Sequence, residues 1–216
     1  MPRVAVCFAG LPRLNIATVA KWQQFISNYN ADVFVHTWQE PTAVRSQVVA
    51  KIAESFSPKQ LLIEPIKQFN TARFNERIWP HRSQPSNVIS MWYSIKRSIG
   101  LALDWDQYEI VCRARFDWWC NHIELETNTG LTVPDDPGLG GHHFTYRGDH
   151  YIAHNDQFGY GSTDVMQAYA TTFDRIPWLY SDDSVDFCSE LFLTANMISY
   201  NIPVVYQMNM DYRILK

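Results

Sequence analysis

The sequence predicts an α/β fold in which helices cover both faces of a mostly parallel central sheet. One observation is the short apolar run Val4–Ala9, which ends at Gly10 as expected of a strand buried on both faces. Another is the alternation of such runs with segments whose apolar residues recur at helical spacing. The length of 216 residues suffices for one domain with a sizeable core.

The elements of the first half follow from this alternation. Strands are expected at 4–9, 32–38 and 61–63, and helices at 16–26 and 44–56. The polar segment 67–85 is expected to be a long loop, a kind of segment that is often functional. An apolar stripe over 88–102 predicts a helix with Ser86 as its N-cap. A strand over 109–119 is expected next.

The second half has a different character. Gly, Pro and His cluster between 130 and 154, and helices are expected only at 162–173 and 189–200. The sequence contains no internal repeat and no low-complexity linker. We therefore expect a single domain over residues 1–216, built of two functional halves, 1–120 and 121–216.

Composition excludes several classes of protein. The formal net charge is -4 and Lys and Arg form no runs, which argues against nucleic-acid binding. Apolar stretches all fall short of the ~18 residues that a membrane span needs. Cys7 and Cys112 lie in apolar strand patterns, where reduced, buried thiols are expected. No signal segment precedes the first strand, so we expect a cytoplasmic protein.

Polar and apolar residues alternate over 110–118. On a strand, this alternation would place Arg113, Arg115 and Asp117 on one face, each ~6.6 Å from the next. An ordinary half-exposed strand alternates in the same way. The row lies at the carboxyl end of its strand, however, which is the edge where open α/β sheets bind ligands, and this favours a functional interpretation.

Two further groups are expected at the same edge. After the first strand come Ala9 and Gly10, where the backbone can approach a ligand closely, and Arg13, which can reach a phosphate. The segment matches neither a dinucleotide fingerprint nor a P-loop. His36 and Trp38 end the second strand, where they would stack on or hydrogen-bond to a base, or would simply pack at the rim.

An acidic motif on a strand that follows three strand–helix units and a long helix resembles the GT-A-type glycosyltransferases. Those enzymes usually carry Asp-x-Asp, whose carboxylates hold a divalent metal on the donor diphosphate. Here Arg115-Phe116-Asp117 stands in that place, similar to the Arg-x-Asp of bacterial and viral capsule or lipopolysaccharide transferases. The resemblance implies a GT-A-like (Rossmann-like) sheet, a nucleotide-sugar-binding half at 1–120 and an acceptor-binding half at 121–216.

The resemblance also implies a metal and a catalytic carboxylate. Mn²⁺ or Mg²⁺ would bind at Asp117, but one carboxylate is a weak metal site, so Arg115 neutralising the phosphates directly is the alternative. The acceptor site is expected after the motif, with Asp156 or Glu190 orienting or deprotonating the acceptor hydroxyl. Glu190 also suits the first turn of a helix on structural grounds alone.

These patterns together predict sugar transfer from a nucleotide diphosphate sugar to a hydroxyl of a glycan or glycolipid. A nucleotidyltransferase is a second interpretation, although the first strand lacks the Gly-rich, basic signature of that class. A non-catalytic carbohydrate-binding protein is a third. The literal Asp-x-Asp at Asp104–Asp106 is interpreted as a helix-to-strand turn at the opposite edge of the sheet.

Overall fold

A computed structural model describes residues 1–39, 43–74, 77, 84–120, 123–135, 143–181, 183, 185–207 and 212–214. The strands are β1 (Val4–Ala9), β2 (Asp32–Gln39), β3 (Gln60–Pro65), β4 (Ile110–Ala114), β5 (Trp118–Cys120), β6 (Leu131–Pro134), β7 (His143–Tyr146), β8 (Asp149–Ile152), β9 (Gly159–Gly161), β10 (Val204–Gln207) and β11 (Tyr212–Ile214). The α-helices are α1 (Ile16–Tyr29), α2 (Ala43–Phe56), α3 (Pro85–Trp105), α4 (Thr163–Ala170), α5 (Thr172–Ser181) and α6 (Ser189–Ser199).

Seven strands form the central sheet in the order β10-β6-β9-β4-β1-β2-β3. β1 is parallel to β2 and to β4, β2 is parallel to β3, and β10 is parallel to β6. β9 runs antiparallel to both β4 and β6. The prediction of a mostly parallel sheet is therefore confirmed.

Side chains of β1 alternate between two apolar cores. Val4, Val6 and Phe8 pack in one core with residues of α1 and α2, including Trp22. Ala5, Cys7 and Ala9 belong to the other core, which contains residues of α3, α4, α5 and α6. Helices therefore cover both faces of the sheet, as predicted, and the continuous apolar run of β1 reflects burial on both faces.

The order of the strands creates a crevice at one edge of the sheet. From β1 the chain moves outward to β2 and β3, and α3 then returns it to β4 on the other side of β1. A crevice outside the carboxyl ends of β1 and β4 is where such sheets bind ligands. Because β9 is reversed, the residues just before Gly159 also lie at this edge, next to the end of β4.

The predicted strand over 109–119 is wrong in its second part. β4 ends at Ala114, and Phe116 and Asp117 form a turn before β5, which pairs with β11 in a separate two-stranded sheet. The Phe116 ring stacks on Phe8 at 5.0 Å, and Trp118 stacks on Phe158 at 4.7 Å between ring centroids. These apolar residues are buried by local packing, so their alternation with polar ones continues through a turn.

The predicted helix over 162–173 is two helices, α4 and α5. Ser162 caps the first, accepting a hydrogen bond from the backbone of Val165. At the junction, the Asn196 side-chain amide donates to the Ala168 carbonyl at 2.8 Å and to the Thr172 hydroxyl at 2.9 Å. The buried amide thus pairs with the Ala168 carbonyl, a group that an uninterrupted helix would pair internally.

The start of α3 also differs from the prediction. Gln84, rather than Ser86, is the N-cap, and Pro85 occupies the first helical position, where its missing N–H costs no hydrogen bond. Within the ranges given above, no helix is both long and apolar enough to cross a bilayer. Cys7 and Cys112 are buried free thiols, as predicted, and burial raises the pKa of both.

Two glycines should respond oppositely to a methyl group. A Cβ on Gly100, within α3, would meet no atom within 4 Å, whereas one on Gly130 would lie 2.5 Å from the Pro203 carbonyl oxygen. We expect Gly100→Ala to raise the free energy of unfolding by about 0.5–1 kcal/mol. Gly130→Ala should lower it by about 1–3 kcal/mol, because β6 and β10 must separate there.

Urea unfolding of the two variants and the wild type measures both changes. Equal stability of Gly130→Ala and the wild type would contradict the close approach of the chain at Pro203.

Candidate functional site

A cleft of about 550 Å³ lies at the carboxyl ends of β1 and β4. Its lining includes nearly all of the residues that the sequence singled out: Ala9, Gly10, Arg13, Trp38, Arg113, Arg115, Asp117, Asp156 and Glu190. His36 is the exception. The cleft has the size of a small-molecule site and lies at the topological switch point of the sheet.

The turn after β1 is held against β2. The Gly10 N–H donates to the His36 carbonyl at 3.2 Å, and the Thr37 hydroxyl donates to the Gly10 carbonyl at 3.0 Å. Gly10 has φ of 101°, which favours glycine. Its α-carbon faces open space, because a Cβ there would meet no atom within 4 Å. The turn therefore leaves room for a ligand against the backbone.

Arg115 and Asp117 form a two-point ion pair. Arg115 Nε lies 2.8 Å from Asp117 Oδ1, and Arg115 Nη2 lies 2.8 Å from Oδ2. Desolvation acts to lower the pKa of Arg115, but the hydrogen bonds and charge of Asp117 outweigh it and raise the pKa. Arg13 Nη1 lies 3.8 Å from Asp117 Oδ2, and its side chain is 71% exposed. The pair thus fixes one guanidinium beside a second that can move.

Arg113 supplies a buried cation to the same cleft. Its Nη1 donates to the Gln157 carbonyl, while its Nε has no hydrogen-bond partner among the described residues. Burial lowers the pKa of Arg113, although Asp156 and Asp117 act in the opposite direction. Buried polar groups are nearly always paired, so an unpaired guanidinium N–H at a cleft is suited to binding an anion.

Asp156 is held by a chain of hydrogen bonds. The indole N–H of Trp92 donates to Ser189 Oγ at 3.0 Å, and the Ser189 hydroxyl donates to Asp156 Oδ2. Asp156 is only 7% exposed and lies in the loop before the reversed strand β9. These two hydrogen bonds fix one oxygen of the Asp156 carboxylate and thereby orient the carboxylate.

Glu190 lies in the first turn of α6 and is half-buried. Its Oε2 accepts a hydrogen bond from Cys188 Sγ at 2.9 Å. Burial, together with the Glu190 charge, raises the pKa of the Cys188 thiol, which therefore stays protonated and donates. The start of a helix also favours a negative charge. Glu190 is thus a second carboxylate on the cleft, and Cys188 is one of its partners.

His36 lies inside the packing rather than on the cleft. Its side chain is fully buried, with Nδ1 2.7 Å from Ser94 Oγ and Nε2 2.9 Å from Glu64 Oε2. Desolvation lowers the pKa of His36 to about 4, against the opposing effect of Glu64. Partial desolvation acts to raise the pKa of Glu64, but hydrogen bonds from Lys67, His36 and Tyr93 lower it to about 2. The neutral ring thus links β2, β3 and α3.

Trp38, two residues further along β2, does line the cleft. Its ring stacks on Tyr93 of α3, with centroids 5.4 Å apart. The His36 and Trp38 rings are in contact, with centroids 5.0 Å apart, and of the two it is Trp38 that contributes to the cleft wall.

The arrangement of Asp117 does not suit a divalent cation. Both of its oxygens accept hydrogen bonds from Arg115, and its side chain is 6% exposed. Mg²⁺ and Mn²⁺ prefer several oxygen ligands and usually keep bound water. Among the residues that the structure describes, no three His, Cys, Asp or Glu side chains group as metal ligands. The residues present fit an anion better than a metal.

Some lining residues were not anticipated from the sequence. Gln157, Cys188 and Ser189 contribute to the cleft, as do residues near the start of α3 such as Asn87 and Met91. The position of α3 follows from the fold, because a helix that joins parallel strands begins at their carboxyl edge and ends at the other. The Asp104–Asp106 segment is accordingly at the far edge, as predicted.

At that far edge, the end of α3 is held to the start of the chain by an ion pair. Asp106 is the C-cap of α3 and pairs at 2.6 Å with Arg3, just before β1. The Arg3 guanidinium lowers the pKa of the Asp106 carboxyl. Asp104 lies in the last turn of α3. This Asp-x-Asp therefore has no part in the cleft.

No known protein-family model matches the chain, and no curated protein matches its sequence. An α/β fold alone hosts many unrelated functions. The function therefore has to be argued from the chemistry of the cleft.

Burial of His36 should make the protein acid-sensitive. The unfolded state binds a proton below about pH 6.5, but the folded state does so only near pH 4, so stability falls as the pH drops between these values. We expect this group to remove on the order of 2–3 kcal/mol between pH 7 and pH 4. Protonation of Glu64 lowers the free energy of unfolding further, but only below about pH 4.5.

Urea unfolding at several pH values tests this, with His36→Gln as the variant and His150→Gln, on the exposed hairpin, as the control. The His36→Gln variant should lose less stability on acidification than the wild type and the control. Parallel curves for all three proteins would contradict a neutral His36. Buried His154, whose pKa is also lowered to about 4 by desolvation, contributes equally to each.

Proposed function

We propose that the protein is a glycosyltransferase, moving a sugar from a nucleotide diphosphate sugar to a hydroxyl of a glycan or glycolipid. The observation that carries this proposal is the joint lining of one cleft by three arginines and, from the second half of the chain, two carboxylates. The mostly parallel sheet and the Arg115-Phe116-Asp117 motif at the end of β4 accord with a GT-A-like fold. We further propose cytoplasmic function, in keeping with three buried free thiols.

The arginines are assigned to the donor. A nucleoside diphosphate gains negative charge as it leaves the sugar, and fixed cations that neutralise this charge lower the barrier. Arg115 is held in place by Asp117, Arg113 has an unpaired N–H, and exposed Arg13 can close over the phosphates. Trp38, which is buried and stacked on Tyr93, is assigned to the wall of the cleft beside the nucleotide base.

The carboxylates are assigned to the acceptor. Its hydroxyl gives a proton to Glu190 as the acceptor oxygen bonds to the anomeric carbon. The bond from that carbon to the diphosphate oxygen breaks, and its electron pair leaves with the nucleoside diphosphate. Glu190 is the better base because its side chain is more exposed than that of Asp156. Asp156, deeper and tied to Ser189, orients the acceptor.

The two other functions have less support. A carbohydrate-binding protein needs no cluster of arginines at a switch point. A nucleotidyltransferase would be expected to carry a Gly-rich basic segment after β1, where this chain has Gly10-Leu11-Pro12-Arg13.

Nucleotide binding is the first expected outcome. One of UDP, GDP, CMP and dTDP should raise the midpoint of thermal unfolding by roughly 5 °C at about a hundredfold excess over its Kd, because a ligand that binds only the folded state stabilises it. The corresponding nucleoside, which lacks phosphate, serves as the control and should give little shift. An unchanged midpoint with all four nucleotides would count against the transferase.

Substitution of the carboxylates should separate their roles. With the donor whose nucleotide binds, Glu190→Gln should lower kcat by about 10²–10³-fold and leave the donor KM nearly unchanged. Asp156→Asn should chiefly raise the acceptor KM. Release of the nucleoside diphosphate is the readout, and Glu54→Gln, on the exposed face of α2, is the control. A Glu190→Gln enzyme with near wild-type kcat would remove Glu190 from the role of base.

A further inference from the structure

The Arg115–Asp117 pair limits what Asp117 can bind. Both carboxylate oxygens already accept charge-assisted hydrogen bonds from a single guanidinium, in the two-point geometry that Arg and a carboxylate favour. A cation ligated by Asp117 would have to share the carboxylate with these bonds. It would also lie close to the positive charges of Arg115 and Arg13.

Burial adds a second limit. The Asp117 side chain is 6% exposed, whereas that of Arg115 is 27% exposed. A Mg²⁺ or Mn²⁺ ion with its remaining water ligands needs open space beside the carboxylate. The exposed part of the pair is thus the cation rather than the anion. Arg115 Nη1, which takes no part in the pair, remains available to a ligand.

Arg113 provides a third and independent observation. It is 1% exposed, its Nε is unpaired, and within the described part of the chain it forms no ion pair with a carboxylate. Burial of this cation is costly, the charges of Asp156 and Asp117 offset part of that cost, and an anion that enters the cleft offsets more of it. Three guanidiniums thus line the cleft together with the carboxylates of Asp117, Asp156 and Glu190, and Asp117 is the carboxylate that pairs with Arg115 and Arg13.

We infer that the cleft binds the donor diphosphate through Arg13, Arg113 and Arg115 without a divalent cation, and that Asp117 is a positioning residue that holds Arg115. This inference rests on the proposed function. The sequence left open whether a metal at Asp117 or Arg115 itself neutralises the diphosphate, and the inference selects Arg115. Asp117 then acts through the orientation of a guanidinium and not through a metal.

Calorimetric titration tests the inference with the full chain. The titrants are inorganic pyrophosphate and the four nucleotides UDP, GDP, CMP and dTDP, each in EDTA and in excess Mn²⁺, together with Mn²⁺ alone. The variants are Arg115→Gln and Asp117→Asn. Lys59→Gln is the matched control, because Lys59 is a cation that pairs with Asp32 at the far edge of the sheet.

Binding of pyrophosphate and one nucleotide in EDTA is the expected result, with no decrease of Kd in excess Mn²⁺, because Mn²⁺ competes with the arginines for the same phosphate oxygens. Arg115→Gln should weaken binding by at least about tenfold, the value of a charged hydrogen bond. Asp117→Asn should weaken it less and equally in both media, because the guanidinium stays but its orientation is lost. Mn²⁺ alone should give the same titration curve with the wild type and with Asp117→Asn, because Asp117 is not a metal ligand.

Other outcomes separate this inference from the proposed function. Nucleotide binding that requires Mn²⁺, with the requirement lost in Asp117→Asn, overturns the inference and supports the transferase. Pyrophosphate binding in EDTA without binding of any nucleotide supports the arginine site and overturns the transferase. Absence of binding by every titrant in both media overturns both. Correct folding of each variant is checked by its thermal unfolding.

Discussion

Parallel pairing of β1 with a neighbour on each side is the constraint on which the site depends. Parallel strands all end at the same edge, so the turns after β1, β2 and β4 must meet there. The chain continues to β2 on one side and returns to β4 on the other, which opens a crevice between the helices that follow. This order of the strands places the residues of the cleft at one edge of the sheet, independently of the contacts between their side chains.

Sequence reasoning succeeded where burial leaves a local pattern. β1 is apolar throughout because it is covered on both faces, and the stripe of α3 is apolar because it faces one core. The prediction of one long strand failed after Ala114. Polar Arg115 and Asp117 there alternate with buried Phe116 and Trp118 across a turn and the start of β5. A turn without glycine or proline leaves no signal that distinguishes it from a strand. The short strands β6 to β10 were missed for a related reason, since three or four residues carry little periodicity.

The cleft was predictable in its chemistry but not in its detail. Arg13 and Arg115 were found because they follow strands at the edge where open α/β sheets bind ligands, and Asp156 was found because the family resemblance places the acceptor site after the motif. The burial of His36 was not foreseen, because it depends on Ser94 and Glu64, which lie 58 and 28 positions away in the chain. Ser189 was missed for the same reason, as its bond to Asp156 spans 33 positions. Contacts of this range follow from the tertiary structure alone.

The start of α6 has a mechanical consequence. Ser189 donates a hydrogen bond to Asp156, and its neighbour Glu190 lines the cleft. Trp92 of α3 in turn donates a hydrogen bond to Ser189. The spacing of the two carboxylates therefore depends on the hydrogen bond that joins the start of α6 to the loop before β9. Other loops at the rim can change in length or composition while this hydrogen bond keeps the two carboxylates in place.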